Sequence, residues 1–337
     1  MQLADLQFEY PSELIATTPS ESWRALLCEN GDPIELEQSQ VLDQIQPGDA
    51  FVINDTKVLK RRVFTESGLE ILFLHPHSDQ RWEVLFPAKK YKVGDAIPLP
   101  GGREATLIEK GIPQTIQVDA ELEEEYFLKY AELALPPYIQ QSRSDRHNNE
   151  QDENWYQTDW CKNQGSFAAP TASLHFDSND LDVLKNKGVH VLPITLHVGL
   201  GTFLPIRTDS IEEHKMHSEW ASLPKETLDT IRRVQASGGR VWALGTTVTR
   251  ALESWAQGLL EEKDSGDVAG WTEIFIKPGY EFKCVSGLMT NFHQPGSTLM
   301  ALVAAFSGLD TVRTCYQFAV EKKFRLFSYG DLSLWKR

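Results

Sequence analysis

The sequence predicts an α/β chain, either a layered sheet or a barrel-like main domain, that carries a small antiparallel β domain as an insertion. Three observations predict it. From about residue 179 onward, helical spacing alternates with short β-branched apolar runs. Between about residues 63 and 150 that pattern gives way to short runs separated by Gly, Pro and Asp. The chain also has 337 residues, room for two domains. The expected division is a discontinuous main domain over 1–62 and 151–337, with the insert at 63–150.

In chain order, residues 1–50 mix short apolar pieces with turn residues, and Pro47-Gly48-Asp49 leads into a strand over Ala50–Ile53. That strand stops at Asn54-Asp55-Thr56, and a basic segment runs on to Arg62. The insert reads as strands near Leu69–Leu74, Trp82–Phe86, Ala105–Ile108 and Thr115–Val118, with turns at Gly94-Asp95 and Pro100-Gly101-Gly102. Residues 140–154 are polar and nearly free of aliphatics, so an exposed loop is expected there. Beyond it, periodicity predicts helices at 179–187, 224–237, 247–258, 297–307 and 311–322. Strands are expected at 189–198, 240–245, 272–276 and 324–329, joined by right-handed crossovers. No repeat of solenoid period is present.

Hydrophobic residues make up 41% and charged residues 24%, an ordinary globular composition. The four cysteines, Cys28, Cys161, Cys284 and Cys315, form no C-x-x-C pair, which argues against a zinc ribbon and a disulfide framework. The start has no basic region followed by an apolar core, and the longest apolar run, Leu299–Phe306, is too short to span a bilayer. A cytoplasmic, reducing setting with no membrane partner is therefore expected. The net charge of −15 disfavours non-specific nucleic-acid binding, which rests on phosphate neutralisation. Basic groups nevertheless bunch at Lys57, Lys60, Arg61 and Arg62 and again at Lys89, Lys90 and Lys92, so nucleic acid stays open.

The chemistry-bearing residues concentrate after the strand at 189–198. That strand breaks into Gly199-Leu200-Gly201, where glycine permits close backbone approach to a ligand. His197, His214, His217, Glu212, Glu213 and Glu219 follow within a short span, as acid–base chemistry requires. His214 and His217 are three apart, a spacing that also suits a metal. The pattern is not H-E-x-x-H, however, and no third ligand is placed. The small-residue loop Gly165–Phe176 contains Thr171 and His175 and suits either a ligand cradle or a packed turn. Arg240–Arg250 reads strand, Gly-Thr-Thr turn, helix, with Thr246 and Thr247 at an anion-binding helix start or a plain cap, and Arg250 one turn on. His293 precedes a Ser/Thr-capped helix, and Phe327–Asp331 places Tyr329 and Asp331 at the end of the last expected strand.

Those segments resemble the S-adenosylmethionine:tRNA ribosyltransferase-isomerase family of queuosine biosynthesis. The likeness rests on A-A-P-T-A-x-L-H-F ending at Phe176, T-L-H-V-G-L-G-T-F at 195–203 and I-E-E-H-x-M-H-S-E at 211–219. It continues with G-T-T-x-x-R-x-L-E-S at 245–254, I-F-I-x-P-G-Y at 274–280, N-F-H-x-P-x-S-T-L at 291–299 and F-S-Y-G-D at 327–331. The resemblance implies an α/β main domain with an inserted antiparallel β-barrel domain. It implies a reaction that transfers and isomerises the ribosyl group of S-adenosylmethionine onto 7-aminomethyl-7-deazaguanine at the wobble position of tRNA. Epoxyqueuosine forms, and adenine and methionine leave. S-adenosylmethionine is a co-substrate, with no prosthetic group and no metal, and a monomer is expected. On that basis His197, His214, His217 and Glu219 form the expected acid–base set. His175, Thr171, Gly199, Gly201, Thr246, Thr247, Arg250, His293, Tyr329 and Asp331 are the expected substrate contacts, and Lys57 and Arg62 the tRNA phosphate contacts. The sequence departs from the family pattern at Ser173, Trp155, Asp55 and Lys60. Two alternatives follow: a relative using S-adenosylmethionine on another acceptor, or a tRNA-binding homologue impaired in catalysis.

Overall fold

The computed structural model describes residues 3–29, 31–77, 79–199, 201 and 211–337, with Ser142 and Glu212 described by backbone only. The chain opens with β1 (Arg24–Glu29), β2 (Asp32–Glu37), β3 (Ala50–Asn54) and β4 (Thr56–Val58). The next stretch holds β5 (Lys60–Phe64), β6 (Glu70–Pro76), β7 (Arg81–Leu85), β8 (Ala96–Leu99), β9 (Arg103–Glu109), β10 (Gln114–Val118), α1 (Glu124–Tyr130) and β11 (Ala131–Leu133). Then come α2 (Pro137–Arg143), α3 (Asp152–Trp155), β12 (Asn163–Ser166), α4 (Ser178–Asn186), β13 (His190–Leu196) and β14 (Glu219–Leu223). The last third contains α5 (Lys225–Ala236), β15 (Val241–Leu244), α6 (Thr246–Ala256), β16 (Glu261–Glu262), β17 (Val268–Thr272), β18 (Gly287–Asn291), α7 (Thr298–Ser307), α8 (Leu309–Glu321) and β19 (Leu332–Lys336).

One sheet of ten strands runs in the order β16-β17-β14-β13-β3-β15-β18-β19-β1-β2. Its middle strands β13, β3, β15 and β18 are mutually parallel, in registers such as His190↔Ala50, Val241↔Ala50 and Trp242↔Gly287. These strands read as unbroken apolar runs because both faces are covered. Val52, Ala243 and Leu288 share one core cluster with residues of α5 to α8, such as Leu228, Val248, Met300 and Val312. Phe51, Trp242 and Met289 face the opposite way into a cluster with Trp23, Phe176 and the α4 residues Leu181 and Leu184. Each such large side chain contributes about 1.5–3 kcal/mol by leaving water. The helices begin where capping chemistry allows. Asp177 and Asp180 form a reciprocal capping box at α4, and Ser297 accepts the Met300 N–H at α7.

Among the described residues the sheet has β16 and β2 as its edges, so the barrel-like main domain is corrected to an open layered sheet there. Antiparallel strands flank the parallel centre on both sides instead of curling round to meet. A second sheet of seven strands, β11-β5-β6-β7-β10-β9-β8, is antiparallel throughout and covers the stretch where the insert is expected. Val63, Phe73, Trp82, Val84, Ile116 and Phe127 fill its own core.

Two local expectations change. Of the strand expected at 272–276 only Thr272 pairs, as the end of β17; Ile274 and Ile276 are buried and Phe275 half-buried, but they lie outside any strand. Phe324, Leu326, Phe327 and Tyr329 are also buried, yet Phe327 has φ 72° and Gly330 N–H turns back onto its carbonyl, so extension fails there and Tyr329 and Asp331 precede β19. Residues 144–151 form the expected, largely exposed loop, held between α2 and α3. Arg143 at the end of α2 makes a forked bond to Asp152 at 3.0 and 2.7 Å, and Asp152 is fully buried. Among the described residues no helix is long and apolar enough to cross a membrane.

Candidate active site

The carboxyl ends of β3, β13, β15 and β18 lie along one edge of the sheet, and β13 and β15 flank β3 on opposite sides. Ligands of open α/β sheets bind at such a switch point. Asn54 ends β3 and organises the edge. Its Oδ1 accepts the Leu196 N–H at 3.0 Å and the Thr56 N–H at 3.1 Å, and its Nδ2 donates to the Leu196 carbonyl at 2.9 Å and to Thr247 Oγ1 at 3.4 Å. One side chain thus binds three of the site's segments together.

His197 follows β13 immediately. Its Nδ1 lies 2.7 Å from Thr56 Oγ1, and a Cβ at Gly165 would come within 2.6 Å of its ring, so glycine is required at 165. Burial lowers the His197 pKa from its usual value, opposed by the nearby Asp55 carboxylate. Asp55 is itself fixed by Thr195 Oγ1 at 2.6 Å and Asn163 Nδ2 at 3.1 Å. His197 is therefore neutral at pH 7 and firmly oriented, as a general base must be.

Glu219, expected in the acid–base set, is held otherwise. Its Oε1 accepts the Gly199 N–H at 3.0 Å and its Oε2 accepts from Arg250 Nη1, with both side chains buried. Arg250 Nε donates to the Ile274 carbonyl at 3.3 Å, and its Nη2 has no partner among the described residues. A buried carboxylate and guanidinium of this kind hold each other in place. Among the described residues no hydrogen bond joins His197 to Glu219. They are linked through backbone, His197 N–H donating to the Trp220 carbonyl at 2.9 Å.

His214 donates its backbone N–H to the Ile211 carbonyl at 3.3 Å and sets its ring edge-on to Phe275. Burial, then the charge of the neighbouring His217, lowers its pKa from the usual value. The His217 ring packs on Gly201, where a Cβ would approach it to 3.0 Å. Leu200 and residues 202–210, which include part of the expected T-L-H-V-G-L-G-T-F segment, lie outside the described residues.

A second group forms around Asn291 at the end of β18. Thr171 Oγ1 donates to its Oδ1 at 2.9 Å, and its Nδ2 faces His175 Nε2 at 3.2 Å and the Gly330 carbonyl at 3.4 Å. Enclosure and then the Arg325 charge push the His175 pKa down to about 3, so the ring is neutral. His293, expected as a substrate contact, is a core histidine. Its Nε2 meets Thr290 Oγ1 at 2.9 Å, its N–H donates to Tyr316 Oη at 3.0 Å, and burial lowers its pKa to about 3. Asp331 is buried and accepts the N–H groups of Arg24 and Arg325 at 3.1 and 2.8 Å, a structural post. Tyr329 is buried, and its hydroxyl has no partner among the described residues. Thr246 and Thr247 open α6 behind Gly245, whose φ of 98° and N–H bond to the Met289 carbonyl at 2.7 Å need glycine.

The expected phosphate contacts divide. Lys57 is half-buried on β4. Arg62 is 2% exposed, stacked near Phe64 and bonded to Glu132 at 3.0 Å and Asn148 at 2.6 Å, so it is corrected from a tRNA contact to an internal tie. Sequence reasoning missed Asn54 and Thr56 as site organisers. The available signal was a polar residue ending a strand otherwise wholly apolar. Among the described residues no three His, Cys, Asp or Glu side chains are grouped to hold a metal ion.

Comparison with known proteins identifies the family of the chain. The family described as queuosine biosynthesis protein matches residues 3–335. A crystal structure of S-adenosylmethionine tRNA ribosyltransferase from Thermotoga maritima is 28% identical, with 98% of this chain and 99% of that one covered and a TM-score of 0.55. With a family match over nearly its whole length, the chain belongs to the queuosine biosynthesis protein family.

Proposed function

We propose that this chain transfers and isomerises the ribosyl group of S-adenosylmethionine onto 7-aminomethyl-7-deazaguanine at the tRNA wobble position, giving epoxyqueuosine with release of adenine and methionine. Membership of the queuosine family supports the reaction. The observation that carries the site is the neutral, oriented His197 at the carboxyl edge of the parallel strands. The base is the tautomer in which Nδ1–H donates to Thr56 Oγ1, 2.7 Å away, and Nε2 is bare. It takes the proton beside the sulfonium or from the attacking ammonium. His214 and His217 supply the acid that assists adenine departure. Glu219 and Arg250 shape the site, Arg250 Nη2 being the donor left for a substrate carboxylate.

In the same reading, residues 63–150 form a separate inserted domain whose antiparallel sheet curls toward a small barrel. Lys57 reaches a tRNA phosphate, S-adenosylmethionine is the co-substrate, and the protein works as a cytoplasmic monomer. Incubation with S-adenosylmethionine and tRNA bearing 7-aminomethyl-7-deazaguanine, followed by nucleoside mass analysis, tests the reaction. Epoxyqueuosine together with free adenine is expected. Unmodified tRNA, where a control enzyme works, refutes the reading. The burial of Arg62 gives some support to a second acceptor, and adenine release with the free base alone would select it.

A further inference from the structure

Beside the strand-end edge lies a cavity of about 340 Å³. Its aromatic walls include Trp23, Trp155 and Tyr329. The charged part of its lining is mainly acidic: among the described residues Glu21, Asp159, Asp177 and Asp180 stand against Arg325 as the one Lys or Arg, with neutral groups such as Gln157 and Ser328 between them. The Arg325 guanidinium donates to the Thr18 carbonyl, and its charge is offset by the buried Asp331. The carboxylates are fixed in place: Asp159 accepts the Ser178 N–H at 3.2 Å, and Asp177 and Asp180 exchange bonds across the α4 cap. Two polar side chains of the wall, Thr158 and Tyr329, are 5% and 3% exposed, and neither hydroxyl has a partner among the described residues. His175 in the same wall is bonded to Asn291, which joins the cavity to the carboxyl end of β18.

Aromatic faces bordered by carboxylates attract organic cations, and unpartnered hydroxyls in such a wall await the polar edge of a ligand. We infer that this cavity holds a flat purine-type heterocycle carrying a positive charge, its ring against Trp23, Trp155 and Tyr329 and its charge toward Glu21, Asp159, Asp177 and Asp180. The inference rests on the proposed reaction only for its two sources of such a ligand. One is the adenosyl sulfonium of S-adenosylmethionine, the other the aminomethyl-deazaguanine base of the acceptor. The cavity volume falls in the range of small-ligand sites.

The test is equilibrium dialysis of the intact protein with three probes: S-adenosylmethionine, neutral S-adenosylhomocysteine, and free 7-aminomethyl-7-deazaguanine. Wild type is compared with Glu21→Gln, Asp180→Asn and Trp155→Ala, each checked for an unchanged melting temperature. If the donor occupies the cavity, S-adenosylmethionine binding weakens about tenfold in the variants while S-adenosylhomocysteine changes less with the two carboxylate variants. If the acceptor base occupies it, only binding of the free base weakens. Unchanged binding of both cations in folded variants overturns the inference. Asp180→Asn could loosen α4, in which case exposed Glu21→Gln and Trp155→Ala decide. Binding is read without turnover, so a wild type that binds a cation here but forms no epoxyqueuosine sinks the proposed reaction and leaves the cavity assignment standing.

Discussion

Two polar pairs at the same end of the sheet behave in opposite ways. His197 and Thr56 meet through one neutral bond, and the ring is oriented but not neutralised by a charge partner. Glu219 and Arg250 are locked together under cover, with Gly199 also bonded to the carboxylate. In the function proposed above, the difference separates the group assigned to proton transfer from the one assigned to hold the wall. Similar residue types near the end of one strand therefore carry different duties, and burial with pairing decides which.

Breaking the locked pair should have the largest effect on stability. Glu219→Ala leaves the Arg250 guanidinium buried and unpaired, an expected loss of about 3–5 kcal/mol in denaturant unfolding. A loss under about 1 kcal/mol would show the pair to be solvated in practice. His197→Ala should instead leave unfolding nearly unchanged while turnover falls about 10²-fold or more, measured by nucleoside mass analysis.

Acid should distinguish the reactive histidine from the core ones. His175 and His293 have pKa values near 3 against the usual 6.5, so the unfolded chain binds their protons first as pH falls. Stability is full above about pH 6.5 and is lost through the window from 6.5 down to about 3, by about 1.4 kcal/mol per pH unit for each histidine. Melting temperatures from pH 7 to 4 measure this, and His293→Gln should flatten the slope. His197 also has a lowered pKa, so the rate should fall with acid only below the usual imidazole range. Thr56→Val, which removes the Nδ1 partner, should shift that acid limb and reduce the rate about tenfold, with little change in melting temperature. The smallest effect expected is from Lys57→Ala, which lowers the salt dependence of tRNA binding by about 0.7–0.9 in log–log slope.

Much of this was legible from residue order. The apolar runs at Ala50–Ile53 and 189–198, and the periodic helices after residue 224, appear nearly where expected, because burial on two faces or one stripe leaves a local pattern. The runs 274–276 and 324–329 misled for the same reason. Both are largely buried, but pairing depends on partners distant in sequence and on the positive φ of Phe327, neither of which an apolar run reveals. The site divides in the same way. His197 stood out by its residue type and neighbours, whereas Asn54 acts through contacts to Leu196 and Thr247, 142 and 193 residues away. Arg62 looked like a free cation in a basic segment because Glu132 and Asn148 reach it only after the second sheet forms.

The most direct measurement is epoxyqueuosine formation by wild type and by His197→Gln, side by side with their melting curves. Wild type should convert tRNA bearing 7-aminomethyl-7-deazaguanine, and the variant should melt at the same temperature while forming product at least about 10²-fold more slowly. A folded variant with wild-type turnover would contradict the assignment of His197 as the base.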